Sequence, residues 1–164
     1  MILMNAILVA TDFGETSDAA LVYGRNLART FGARLYVVHI AEDVSTTAGQ
    51  ELFAGDLHEL QADVVEAATS RLYSSLSDDD LTMLSATPVV RVSSNAANAI
   101  IAYAKEVHVD IIVVGTHGRG PMSHLLMGSV AEHVVRHAPC PVLVVRPNEH
   151  EFVVPDPVGA HTRI

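Results

Sequence analysis

The residues best suited to chemistry lie between 115 and 129: Gly115-Thr116-His117-Gly118, then Arg-Gly-Pro-Met-Ser-His-Leu-Leu-Met, then Gly128-Ser129. They follow an apolar run, Ile111-Ile-Val-Val114, and precede a helical pattern. In that setting backbone N–H groups and a helix N-terminus can hold a phosphate. Glycines at 115, 118 and 128 would let the backbone approach an anion without Cβ obstruction, and Ser129 offers a hydroxyl at the positive end of the helix. The plainer reading of the same glycines is turn geometry before a helix. Neither common phosphate loop is present: G-x-x-x-x-G-K-[ST] is absent, and Gly118-Arg-Gly120 lacks the third glycine of G-x-G-x-x-G.

Other reactive side chains carry weaker signals. Asp12 ends the first apolar run, where a carboxylate either caps the next helix or faces a ligand crevice. His133 and His137 have i, i+4 spacing but no H-E-x-x-H pattern, and they read as a solvated helix face. Cys140, flanked by Pro139 and Pro141, reads as a structural thiol. His117 either donates to a phosphate or simply covers the loop, and is read as binding rather than catalytic. No nucleophile with a matched base and no metal-binding carboxylate pair can be assembled, so fast catalysis is not expected.

The elements that must position these residues alternate. Strand-like runs fall at Ala6–Thr11, Arg34–Ile40, Ser85–Val92, Asp110–Val114 and Val142–Arg146. Helical periodicity falls at about Thr16–Phe31, along Leu57, Leu60, Val64, Ala68, Leu72 and Leu76, from the Ser93-Ser-Asn95 cap to Val107, and at Ser129–His137. The acidic run from Ser77 to Asp80 is read as the turn that closes the second helix, and Pro88 puts the third strand at a sheet edge. Five strands and four helices in this order predict a single α/β domain. Its sheet is parallel, doubly wound and Rossmann-like, of order 3-2-1-4-5, with a ligand crevice at the carboxyl ends of strands one and four.

Composition narrows the partners. Ten Lys plus Arg against nineteen Asp plus Glu, a formal charge of −9, argue against nucleic acid while leaving a small anionic ligand open. The apolar runs are shorter than the roughly 20 residues of a membrane span, so no membrane partner is expected. The start of the chain lacks a basic region and reads as a strand, and one cysteine makes no demand for an oxidising compartment; the cytoplasm is the expected location. Residues 1–147 read as the domain, and residues 148–164, without clear period, as a flexible or partner-docked extension.

The spacing Gly115-x2-Gly118-x9-Gly128-Ser129 resembles the signature of ATP-binding universal stress proteins, G-x2-G-x9-G-[ST]. The resemblance continues through Ser129–Val145 and the opening Ile7-Leu-Val-Ala-Thr-Asp12-Phe, covering nearly the whole chain to Pro147. It implies ATP across the carboxyl edge of the sheet, a role in stress survival, and a homodimer through the last strand, Val142 to Arg146, with higher oligomers and an unidentified protein partner left open. It implies that Ala10, Thr11 and Asp12 line the adenosine pocket, that Ile40 presents its backbone to adenine, and that Gly115 approaches ribose. Thr116, His117 and Gly118 follow the phosphates, and Gly128, Ser129, Val130 and Ala131 close their far side. Mg²⁺ is the expected companion of ATP, with no protein ligand set evident. Gly14 departs from the serine common there, and Ser93-Ser94 from a glycine-containing turn. The leading expectation is a nucleotide-dependent regulatory binding module. A slow ATPase or nucleotidyl-transferring enzyme and a dimeric scaffold without nucleotide remain as alternatives.

Overall fold

A computed structural model describes residues 1–47, 54–116 and 127–146. Five strands, β1 Ala6–Ala10, β2 Arg34–Ala41, β3 Thr87–Val92, β4 Ile111–Gly115 and β5 Val142–Val145, form one parallel sheet in the order β3-β2-β1-β4-β5. Among the described residues six helices accompany it: α1 Glu15–Phe31, α2 Val44–Thr47, α3 Ala54–Ser74, α4 Asp78–Met83, α5 Ala96–Glu106 and α6 Ser129–His137. Four of them are long, as the periodicity predicts; α2 and α4 are additions of four and six residues.

The central strands are apolar on successive residues because both faces are covered. Ile7, Val9, Leu35, Val37 and Val113 pack with Ala20, Leu21, Ala28 and Leu72 on one face. Leu8, Val38, Ile112 and Val114 pack with Ile100, Ala104, Ala131 and Val134 on the other. Gly24 lets α1 lie directly on β1, since a Cβ there would overlap the Val9 side chain. The helix stops at Gly32, whose φ of 64° is left-handed and whose N–H closes on Ala28 O.

The acidic run after α3 does not close that helix. Ser77 Oγ accepts from Asp80 N at 3.2 Å and the Asp80 carboxylate accepts from Ser77 N at 2.9 Å, a reciprocal cap that opens α4. Asp80 is fully buried because Arg25 Nε donates to it at 2.8 Å, tying α1 to α4. The amino-terminal half of α3 also differs from expectation: Leu60 is 41% exposed, whereas Ala68 and Leu72 are buried. At about 1.5 Å per residue, 21 residues overreach a six-residue strand, so only the later turns of α3 meet the sheet. Pro88 lies within β3 at the sheet edge, where a missing N–H costs no ladder bond on the open side.

Candidate functional site

β1 and β4 are neighbours while their next partners, β2 and β5, lie on opposite sides, so the winding reverses between them. The loops leaving β1 and β4 diverge there and open a cavity of about 350 Å³. The size lies within the usual ~300–1,000 Å³ of small-molecule sites.

On the β1 side the chain turns sharply. Thr11 Oγ1 accepts from Phe13 N at 3.0 Å, and Phe13 adopts a left-handed φ of 62°. Asp12 Oδ1 accepts from Gly14 N at 3.1 Å, which leaves Gly14 rather than Asp12 as the N-cap of α1. Buried Ser17 completes the cap, accepting from Gly14 N at 3.0 Å and meeting Thr11 Oγ1 at 3.1 Å. Asp12 is therefore placed at the cavity by a local turn rather than used to end the helix.

On the β4 side Gly115 is required by close approach: a Cβ there would lie 2.7 Å from both Thr16 C and Thr16 O, in the first turn of α1. Thr116 N donates to Val145 O at 2.9 Å, and Thr116 O accepts from Gly128 N. These bonds tie Thr116 to β5 and to Gly128; residues 117–126, His117 and Gly118 among them, lie outside the described residues. Gly128 is the N-cap of α6 and has no side chain to accept from it, so among the described residues no side-chain cap meets the first N–H groups of that helix. Ser129, Val130 and Ala131, which carry those groups, line the cavity.

The structure brings Ala10, Thr11, Asp12, Ile40, Gly115, Thr116, Gly128, Ser129, Val130 and Ala131 around this one cavity. Val38, Ile100 and Val114 give it apolar walls, and Glu132, also at its edge, is engaged by Arg136 at 2.8 Å. An apolar slot leading to an uncapped helix N-terminus suits a ligand with a flat apolar part and an anionic part.

The universal stress protein family model matches residues 4–146. The chain belongs to the universal stress protein family. A universal stress protein of Thermus aquaticus is 34% identical over 146 residues, covering 88% of this chain and all of the relative. One of Methanocaldococcus jannaschii is 30% identical over 155 residues, 91% of this chain and 86% of the relative. Among solved structures, a universal stress protein of Lactobacillus plantarum superposes with a TM-score of 0.72 at 24% identity, covering 89% of this chain and all of that one. Two further solved family members are nucleotide complexes. One holds cAMP (TM-score 0.55, 22% identity, 88% of this chain and 98% of that one). The other, from Archaeoglobus fulgidus, holds dAMP (0.51, 23%, 88% and 99%).

Sequence reasoning passed over Ser17, His39, Ala96, Ile100 and Met127, which also line the universal stress protein cavity. His39 had a legible signal: it directly precedes Ile40 at the carboxyl end of a strand, where side chains reach the crevice. Ile100 reads only as an inward-facing helix residue, because its place at the cavity depends on α5 packing against β2 and α6. The remaining polar candidates lie elsewhere. His133 and His137 stack with ring centroids 4.3 Å apart, His133 Nε2 meeting Asn98 Oδ1 at 2.9 Å. Burial first, and the Asp110 carboxylate second, push the Cys140 thiol up, which keeps it protonated at neutral pH. Burial likewise raises the Tyr103 phenol, with Tyr36 adding to the effect. No described helix is long and apolar enough to cross a membrane.

Proposed function

We propose that this universal stress protein binds ATP and acts as a nucleotide-dependent regulatory module of the stress response rather than as a fast enzyme. The observation that carries the reading is the uncapped amino end of α6 facing a cavity whose inner walls, Val38, Ile100 and Val114, are apolar. The base occupies the apolar part, with the Ile40 backbone beside it. Asp12 and Gly115 flank the ribose, and the N–H groups of Ser129, Val130 and Ala131, with the Ser129 hydroxyl, receive phosphate oxygens. His117 and Gly118 act along the same phosphates. The cAMP and dAMP complexes of family members support a nucleotide in this fold. ATP brings Mg²⁺ through its own phosphate oxygens; among the described residues the cavity's carboxylates are Asp12 and the Arg136-paired Glu132.

β5 is an edge strand of four apolar residues, Val142 to Val145. An open apolar edge is a template for pairing, and we assign it to a homodimer formed through Val142–Arg146 in the cytoplasm. The deciding experiment is calorimetric titration of nucleotide-stripped protein with ATP and Mg²⁺. Near one ATP per chain is expected. Absence of binding heat and of displacement of a fluorescent nucleotide would reject the ligand and leave the family fold intact.

A further inference from the structure

Parallel strands use alternate residues on alternate sides: a residue whose carbonyl bonds one neighbour sends its own N–H to the same neighbour. Thr11 N donates to Val38 O at 2.9 Å, so Val38 faces β1. Two residues further along β2, the N–H and C=O of Ile40 face the same edge. An uninterrupted ladder would continue with Ile40 N donating to Thr11 O. The β1–β2 register instead ends at Ala10↔Val38, although β2 continues along β3 to Ala41↔Val92.

The Thr11 carbonyl, where the next rung would land, is met by His39 Nδ1 at 2.9 Å. A carbonyl oxygen only accepts, so Nδ1 is the protonated nitrogen. The imidazole is braced from the loop side: the Phe13 ring lies 4.3 Å away, centroid to centroid, at a tilt of 33°. Phe13 holds a left-handed backbone, which a bulky residue adopts only when its surroundings fix it. Arg71, from α3, provides part of that support, with its guanidinium carbon 4.6 Å from the ring centroid and Nη2 donating to Phe13 O at 3.3 Å.

We propose that His39 is a positioning residue: by holding the Thr11 carbonyl it stops the β1–β2 ladder one rung short and leaves the peptide N–H and C=O of Ile40 turned into the cavity to read a nucleobase edge. The base-reading part rests on the nucleotide reading above. One residue then supplies a donor and an acceptor side by side, and adenine answers with a ring-nitrogen acceptor beside an exocyclic amino donor. His39 performs this without touching the base; it acts through the backbone it keeps apart.

Two measurements test this on the full chain, with wild type and His39→Val, valine being a good strand former at a position the ladder can then close. The first is amide hydrogen exchange in the absence of ligand. The Ile40 amide of the wild type exchanges much faster than that of Val38, and in His39→Val it slows by at least about tenfold as it bonds Thr11 O. The second is affinity for ATP against purine riboside triphosphate, which lacks the 6-amino group. The wild type prefers ATP by about tenfold, the worth of one hydrogen bond, and His39→Val brings the ratio toward one. An Ile40 amide as protected as Val38 in the wild type, or an ATP preference unchanged in His39→Val, overturns the proposal. If the nucleotide reading itself is wrong, wild type binds neither triphosphate, and the exchange comparison alone then decides whether His39 holds the ladder open.

Discussion

Two cavities of nearly equal volume open on opposite ends of the same sheet, about 350 Å³ at the carboxyl ends and about 340 Å³ at the amino ends, yet their chemistry differs. At the amino end, beside Asn5, Arg34 and Leu84, the backbone is already spent on the protein. Arg34 N donates to Asn5 O at 2.9 Å, Leu35 N to Leu84 O at 3.2 Å, and Asp110 Oδ2 accepts from both Asn5 N and Ala6 N. At the carboxyl end the ladder stops early and, among the described residues, α6 begins without a side-chain cap, so polar backbone groups face the cavity. Volume alone therefore does not mark a site. What separates the two ends is whether backbone donors and acceptors have partners within the fold, because buried polar groups are nearly always satisfied by something.

With the function proposed above, the amino-end carboxylates are structural and Asp12 at the carboxyl end is the one that meets the ligand, and Asp80→Ala tests the first half with the largest effect. Asp80 is buried, joins Arg25 and accepts the Ser77 N–H. Removing it leaves the 21%-exposed Arg25 guanidinium without its carboxylate, holding only the Ser75 carbonyl, and α4 without half of its reciprocal cap. A loss of about 3–5 kcal/mol in urea unfolding is expected, with ATP affinity of the folded variant unchanged. A variant that unfolds normally but loses nucleotide would break the division between the two ends.

How far this division was legible in the sequence depends on the range of the contacts. β1, β4 and β5 could be read from their apolar runs, and the glycine spacing named the loop, because these signals are local. The N-cap Asn95, whose side chain accepts from Asn98 N at 2.9 Å, was equally local. Asp80 was misread as part of a closing turn: its role is set by Arg25, 55 positions away in the chain. Asp110 could not be assigned either, since its partners Asn5 and Ala6 become neighbours only when β1 and β4 pair. Gly115 was singled out for the approach of a ligand, whereas the contact that requires a glycine there is with Thr16, which no spacing rule contains.

Gly115→Ala probes the carboxyl end next. Its Cβ would meet backbone atoms of Thr16 at 2.7 Å, which a flexible side chain cannot relieve, so α1 and β4 must separate. Overpacking of this kind costs about 1–3 kcal/mol. Unlike Asp80→Ala, this change moves a wall of the cavity, and ATP affinity should fall by about tenfold or more in the folded protein, as shifted binding groups lose their hydrogen bonds. Equal losses of stability with unchanged affinity would show that this wall does not bear on the ligand. Asp110→Ala provides the matched control at the opposite end: two N–H groups lose their acceptor at a partly exposed site, for about 1 kcal/mol, with no change in ATP binding by calorimetry.

The smallest expected effect on stability is also the sharpest test of Asp12. Gly14, the N-cap of α1, has an extended φ of −96° and no side chain to accept a hydrogen bond, so Gly14→Ser fits the backbone and adds a preferred capping hydroxyl. The gain over glycine is a few tenths of a kcal/mol, read as a slight rise in Tm. The new Cβ, however, would stand 3.1 Å from Asp12 Oδ1, the oxygen that now accepts the Gly14 N–H, and the carboxylate must rotate or shift by a few tenths of an ångström. If Asp12 contacts the ribose, stability and affinity then move in opposite directions: a slightly more stable protein that binds ATP more weakly. If both rise together, Asp12 is part of the turn alone, and the functional carboxylate at the carboxyl end has to be sought elsewhere along the cavity.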